Sequence, residues 1–233
     1  MTRENGRRPD ALRALTIQPD YLEQPHGSAL ITQGKTIVLC TAMIQEEVPR
    51  WLRNQGRGWM TAEYSLLPAS TGDRVEREAS RGKQQGRTVE IQRLIGRAMR
   101  AVVDFRALGE RTMWLDCDVL QADGGTRCAA ICGAYVAGRR ALDRFGLSKA
   151  FTDSVAAVSV GVVDGVPLLD LCYEEDVKAG TDMNVVVTSE GDFVEVQGTA
   201  EGAPFTREQM SKLMDLATGG IATLIGLQRA SLK

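Results

Sequence analysis

Residues 112–146 constrain this chain more than any other stretch. "TMWLDCDVLQ" (112–121) reads as a strand. Asp123, Gly124, Gly125, Thr126 and Arg127 follow. "TRCAAICGAYVAGRRALDRFG" then places small residues at helical spacing as far as Gly146, a helix stop. A strand, a glycine turn and a helix in direct succession commit the chain to mixed α and β structure.

The flanking segments extend that reading. "GSALITQGKTIVLCTAMIQEE" (27–47) predicts a hairpin turning at Gln33-Gly34-Lys35. Residues 48–87 have few periodic apolar positions and many arginines, and read as one long irregular connection. Ile91, Leu94, Ile95, Ala98, Met99 and Val102 make one apolar helical stripe. Beyond residue 150 the rhythm repeats. Hairpins are predicted around Asp164-Gly165 and Glu190-Gly191. A capping box at Thr206 and Gln209 opens a last helix with apolar residues Met210, Leu213, Met214, Ala217, Ile221 and Leu224. Its Gly219-Gly220 pair costs about 1 kcal/mol per glycine relative to alanine. The expected fold is α+β: one compact domain built as a pseudo-repeat, with halves of roughly 1–150 and 151–233.

Composition excludes several classes. A chain of 233 residues, 43% hydrophobic and 25% charged, can bury a real core. A formal net charge of -2 argues against blanket coating of nucleic acid and leaves room for a local basic patch. No apolar run reaches membrane-spanning length, and "MTRENGRRPDALRAL" has no apolar signal core, so no membrane partner is expected. Cys40, Cys117, Cys128, Cys132 and Cys172 are odd in number and sit in apolar stretches, as reduced thiols of a cytoplasmic protein do. His26, the one histidine, completes no Ser-His-Asp arrangement, and Cys128 and Cys132 complete no zinc pattern.

Three clusters carry chemistry. Gly124, Gly125, Thr126 and Arg127 meet a helix N-terminus, whose free N–H groups and dipole suit an anion. By itself this is equally a tight turn with a solvated arginine. Gly86, Arg87 and Thr88 repeat the pattern before the other amphipathic helix, and two such clusters suggest one shared phosphate site. "DLCYEEDVKAGTDMN" (170–184) places Asp176 at the end of one strand and Asp182 at the start of the next. By themselves these carboxylates read first as a solvated hairpin loop; the pair also suits Mg²⁺ or general-acid work. In "LPASTGDRVEREASRGK" (67–83), Arg74, Arg77, Arg81 and Lys83 form either a clamp for an RNA backbone or an exposed salt-bridged loop.

At this point the sequence resembles the ribonuclease PH family, bacterial phosphorolytic exoribonucleases that trim tRNA 3′ ends. "RPDALRALTI" (8–17), "GWMTAEYSLLP" (58–68), "GRTVEIQRLIGRAMRAVVD" (86–104), "DCDVLQADGGTR" (116–127), "DLCYEED" (170–176), "DMNVVVT" (182–188) and "VEVQGTAEGAPF" (194–205) carry the resemblance, which runs nearly end to end. It implies a ribonuclease PH-like fold of two similar β-α halves. It implies inorganic phosphate as co-substrate, bound by Arg87, Gly125, Thr126 and Arg127. It matches the family's two aspartates to Asp176 and Asp182, candidates for catalysis and for Mg²⁺. The implied activity is phosphorolytic 3′-to-5′ trimming of tRNA precursors and other RNA 3′ ends, releasing nucleoside diphosphates, with reverse addition of nucleotides. The implied assembly is a homo-hexamer, a trimer of dimers. Where the family loop reads Leu-Pro-Arg-Ser-Thr, this chain has Ala69, one clamp arginine fewer. The alternatives are a non-catalytic RNA-binding ring subunit and a hydrolytic nuclease; the second leaves the paired arginine clusters unexplained.

Overall fold

The computed structural model describes Arg3, residues 6–201 and residues 203–233. Met1, Thr2, Glu4 and Asn5, and Gly202 of the "VEVQGTAEGAPF" stretch, lie outside the described residues.

Two sheets share one apolar core. The first holds β1 (Leu15–Pro19), β2 (Gly27–Gln33), β3 (Thr36–Gln45), β4 (Trp59–Leu66) and β5 (Thr112–Gln121), in the order β1-β2-β3-β5-β4. All its pairings are antiparallel except β4 with β5. The second holds β6 (Val155–Val163), β7 (Val166–Leu169), β8 (Thr181–Thr188) and β9 (Phe193–Ala200), antiparallel in the order β7-β6-β8-β9. The helices are α1 (Glu78–Arg81), α2 (Gly86–Arg100), α3 (Phe105–Leu108), α4 (Thr126–Arg144), α5 (Tyr173–Lys178) and α6 (Arg207–Ser231). The α+β fold with two β-α halves is therefore present.

The small residues of α4 have a physical reason. This helix lies between the sheets, against β2, β3 and β5 on one side and β6 on the other. Residues 128–138 are buried without interruption, so no polar face is possible. The approach is close: a Cβ on Gly27 of β2 would stand 2.1 Å from the Ala137 carbonyl oxygen. Any larger side chain there would separate helix and sheet. The α2 stripe is buried as its spacing requires. Ile91, Leu94, Ile95 and Met99 each contribute roughly 1.5–3 kcal/mol by leaving water. The Thr206–Gln209 capping box forms, while Met210 departs from the α6 stripe and is exposed.

Two expectations need correction. The region 48–87 is not wholly irregular, because β4 lies within it. Met60, Ala62 and Tyr64 point into the core and alternate with Thr61, Glu63 and Ser65. That alternation rests on only three inward residues, one of them alanine, and its parallel partner lies far downstream in β5. Asp176 does not end a strand. It sits on α5, which begins at Cys172 because the Glu175 side chain reaches back to the Cys172 N–H and closes a capping box.

All five cysteines are buried and unpaired, and burial pushes the Cys132 thiol up to about 12. Cys128 and Cys132 therefore pack as apolar residues. No helix among the described residues is long and apolar enough to cross a membrane.

Candidate active site

Beyond β5 the chain turns through Gly124 and Gly125, both in the left-handed region at φ +72° and +65°. A Cβ on Gly124 would stand 2.7 Å from backbone atoms of Leu171 and Cys172, so glycine is required. Gly125 caps α4 without offering a side-chain acceptor, which leaves the first-turn N–H groups for a ligand.

Thr126 and Arg127 open that helix, and each is fixed by a neighbour. The Thr126 hydroxyl lies 2.8 Å from the Tyr64 hydroxyl. Arg127 Nη1 donates to Glu90 Oε1 at 3.3 Å and to Gln197 Oε1 at 3.2 Å. Gln197 Nε2 donates to the same Glu90 oxygen at 3.1 Å. Arg127 thus ties α4 to α2 and β9 through one guanidinium corner. Arg87, in the first turn of α2, lines the same cleft as Thr126 and Arg127. Thr88 does not join them: it is buried and donates to Glu78 Oε1 at 2.6 Å, fastening α1 to α2.

The cleft measures about 710 Å³, and Asp176 and Asp182 complete its wall with Gly124, Gly125, Ser159 and Asn184. Asp182 is held by pairing with Gly161 and Thr199 on neighbouring strands. Partial burial and the charge of Asp182 push the Asp176 carboxyl above its ordinary range, against the pull of Arg87, Arg127 and Arg13. Two arginines, free helix amides and two carboxylates therefore line one space. Such a site can hold a tetrahedral anion beside a proton donor.

The loop arginines divide. Arg77 and Lys83 line an adjoining cleft of about 680 Å³, which shares Tyr64, Leu66 and Arg87 with the first. Its floor is acidic: burial and neighbouring carboxylates push Asp116 up, and burial pushes Asp118 up while Arg77 opposes it. Arg81 is exposed and pairs with Glu76 at 2.6 Å, and Arg74 is exposed on the same loop.

Sequence reasoning missed the residues that hold the site from behind. Arg13 donates to Asp170 and to the Asp123 carbonyl, and Arg3 and Arg7 donate to Glu175. Tyr64, Glu90 and Gln197 were also missed. All except Arg3 and Arg7 lie inside or beside the stretches that carry the family resemblance, but nothing local marks them as functional.

The family follows from the sequence match. The model of the 3′ exoribonuclease family, domain 1, matches residues 11–139, and that of domain 2 matches residues 153–220. The chain belongs to the 3′ exoribonuclease family. The matched segments hold every residue placed above around the cleft: the anion turn and both arginines in domain 1, the aspartates in domain 2. Solved structures share the fold. Rrp46 from rice (Oryza sativa) superposes with a TM-score of 0.81 at 18% identity, covering 99% of this chain and 100% of that one. A chain of the Archaeoglobus fulgidus exosome with RNA bound to the active site gives 0.80 at 22%, covering 96% and 93%. A chain of an archaeal exosome core gives 0.76 at 21%, covering 97% and 91%.

Proposed function

We propose that this member of the family is a phosphorolytic 3′-to-5′ exoribonuclease of the ribonuclease PH type. The observation that carries the reading is the convergence of Arg87, Thr126, Arg127, Asp176 and Asp182 on one cleft. In this reading inorganic phosphate rests on the α4 amides, Thr126 and the two arginines. Phosphate and RNA are both anions and repel; the arginines offset that repulsion and fix the line of attack. A phosphate oxygen bonds to the phosphorus of the terminal phosphodiester, and the bond to the penultimate 3′ oxygen breaks. Asp176, the carboxyl held up by its surroundings, donates the proton that oxygen needs. A nucleoside diphosphate leaves. Added diphosphates drive the reverse addition.

Mg²⁺ fits the same wall. Asp176 and Asp182 are hard oxygen donors, and no cluster of three or more His, Cys, Asp or Glu makes a metal cage among the described residues. The ion would rest on Asp182 and substrate phosphates while Asp176 holds its proton, and on both carboxylates once that proton has left. Bound there it would supply charge neutralisation on the leaving side.

The substrates in this reading are tRNA precursors and other RNA 3′ ends in the cytoplasm, steered by Arg74, Arg77, Arg81 and Lys83. The assembly is a hexamer of three dimers, in which several copies present the 67–83 loop to one RNA. A second reading has a specific observation behind it: the solved structures named above are Rrp46 and exosome chains. On that reading the chain is an RNA-binding ring subunit that does no chemistry. One experiment separates the two. A tRNA carrying a 3′ extension is incubated with the protein, with and without inorganic phosphate. Phosphate-dependent shortening supports the enzyme; RNA binding without shortening supports the silent subunit.

A further inference from the structure

Two left-handed turns stand back to back at the cleft, the first in its wall and the second behind it. One is Gly124-Gly125, at the start of α4. The other is Asp170, at φ +58°, where β7 ends and the chain turns toward α5. Their backbones are in contact, since a Cβ on Gly124 would meet Leu171 and Cys172 at 2.7 Å. The first turn carries the anion cradle and the second leads to Asp176.

Arg13 joins them. Its backbone N–H and Nε donate to Asp170 Oδ2 at 2.7 and 3.1 Å, and its Nη2 donates to Asp170 Oδ1 at 2.7 Å. On the other side its Nη1 donates to the Asp123 carbonyl at 2.5 Å, and its Nη2 reaches the Gly124 carbonyl at 3.5 Å. Asp170 is 1% exposed and Arg13 7%. Neither lines the cleft, so neither can touch phosphate or RNA there. Only a planar fork can satisfy a carboxylate bidentately and still reach two carbonyls; a lysine ammonium cannot. A non-glycine residue in the left-handed region is strained and persists only where its surroundings hold it. Here Arg13 holds the carboxylate, while the Asp170 N–H donates to the Ser159 carbonyl at 2.7 Å and the Asp170 carbonyl accepts from Arg7 Nη1 at 2.8 Å, with Arg7 also 3.6 Å from the carboxylate.

We propose that Arg13 and Asp170 are positioning residues: their buried ion pair fixes the spacing between the anion cradle at 124–127 and the carboxylates Asp176 and Asp182. The assignment of a reaction to that spacing rests on the phosphorolytic reading. The mechanical coupling of the two turns does not. A buried ion pair is weak evidence for stability, because a neutral pair of similar shape is often as stable. The position of this one, between two half-sites from different family domains, gives it a role that stability alone does not require.

The test uses the full chain and three variants: Arg13→Lys, Asp170→Asn, and the double variant Arg13→Gln with Asp170→Asn. Amide exchange is measured first, without phosphate. Asp170→Asn is expected to speed exchange at 124–128 and at 171–176 together, by about tenfold or more, while β2 and β3 are unchanged. Faster exchange at 171–176 alone overturns the coupling. Kinetics follow. Both single variants are expected to lose roughly 10- to 100-fold in kcat/KM for phosphate, with KM for RNA held within about twofold. The double variant is expected to recover thermal stability without recovering kcat/KM for phosphate. Recovery of both together would make the pair a folding element only and overturn the proposal. If Asp170→Asn shows the joint exchange response but the wild-type protein shows no phosphate-dependent shortening, the phosphorolytic reading fails and the coupling stands.

Discussion

The Tyr64 and Thr126 hydroxyls lie 2.8 Å apart, joining the edge strand β4 to the first residue of α4. Tyr64 is buried, and burial pushes its phenol up although Thr126, Arg87 and Arg127 pull the other way. The phenol therefore stays protonated and can donate to Thr126, orienting that hydroxyl toward the cleft. Tyr64→Phe is expected to cost about 1 kcal/mol of stability, the net value of a buried hydrogen bond. KM for phosphate should rise while KM for RNA does not. Denaturant unfolding and a phosphate titration check both halves; an unchanged phosphate response would leave Tyr64 with packing alone.

Asp176 gives a second prediction. Its carboxyl is raised by burial and by Asp182, so the native state holds its proton to higher pH than the unfolded chain does. The group therefore removes stability as pH rises from the unfolded value through the native one. A carboxyl NMR titration should place Asp176 above the ordinary carboxylate range. Asp182→Asn should lower that value and Arg87→Ala should raise it. If Asp182→Asn leaves it unchanged, the two carboxylates do not share a site.

Glu175 has the opposite sign. Burial alone would raise its carboxyl, but Arg3, the Cys172 N–H and Arg7 outweigh burial and hold it at about 2. Its contribution is present above the unfolded value of 4.5 and is lost as pH falls from there toward about 2. The size is of the order of 2–3 kcal/mol for a shift of about two units. Acid unfolding followed by circular dichroism should therefore be flatter across that window in Glu175→Gln, which should also be less stable at neutral pH. An identical acid profile would remove Glu175 from this role.

The loop makes a separable claim. Neutralising Arg74, Arg77 and Arg81 together should weaken tRNA binding and reduce its salt slope by about 0.7–0.9 for each RNA phosphate no longer neutralised. Arg81 is paired with Glu76, so part of its charge is already spent and its single substitution should matter least. Cleavage of a very short oligonucleotide should be nearly unaffected. An unchanged slope would return these arginines to solvent.

What was legible in the sequence was local. The β2–β3 hairpin, the α2 stripe, the strand-turn-helix from Thr112 to Arg144 and the Thr206–Gln209 cap depend on neighbours within a few residues, and periodicity and turn chemistry expose such neighbours. The strand β4 was hidden because its three inward residues gain meaning only beside β5. The turn at 124–127 was legible because glycines next to a helix N-terminus are a chemical signature. Its supports were not: Tyr64, Glu90, Gln197, Arg13 and Asp170 act on residues far away in the chain, and a lone tyrosine or arginine carries no such mark. Asp176 was read on the wrong element for a related reason, since a six-residue helix started by a capping box leaves little periodic signal.

The central claim is that inorganic phosphate is the nucleophile at the cleft formed by Arg87, Thr126, Arg127, Asp176 and Asp182. The most direct measurement supplies isotopically labelled phosphate with an RNA carrying a 3′ extension and identifies the released nucleotide. The account predicts nucleoside diphosphates carrying the label in the β-phosphoryl group, formed only when phosphate is present and lost in Arg127→Ala by roughly 10²–10³ in rate. Unlabelled nucleoside monophosphates, or RNA that binds and is never shortened, would contradict it.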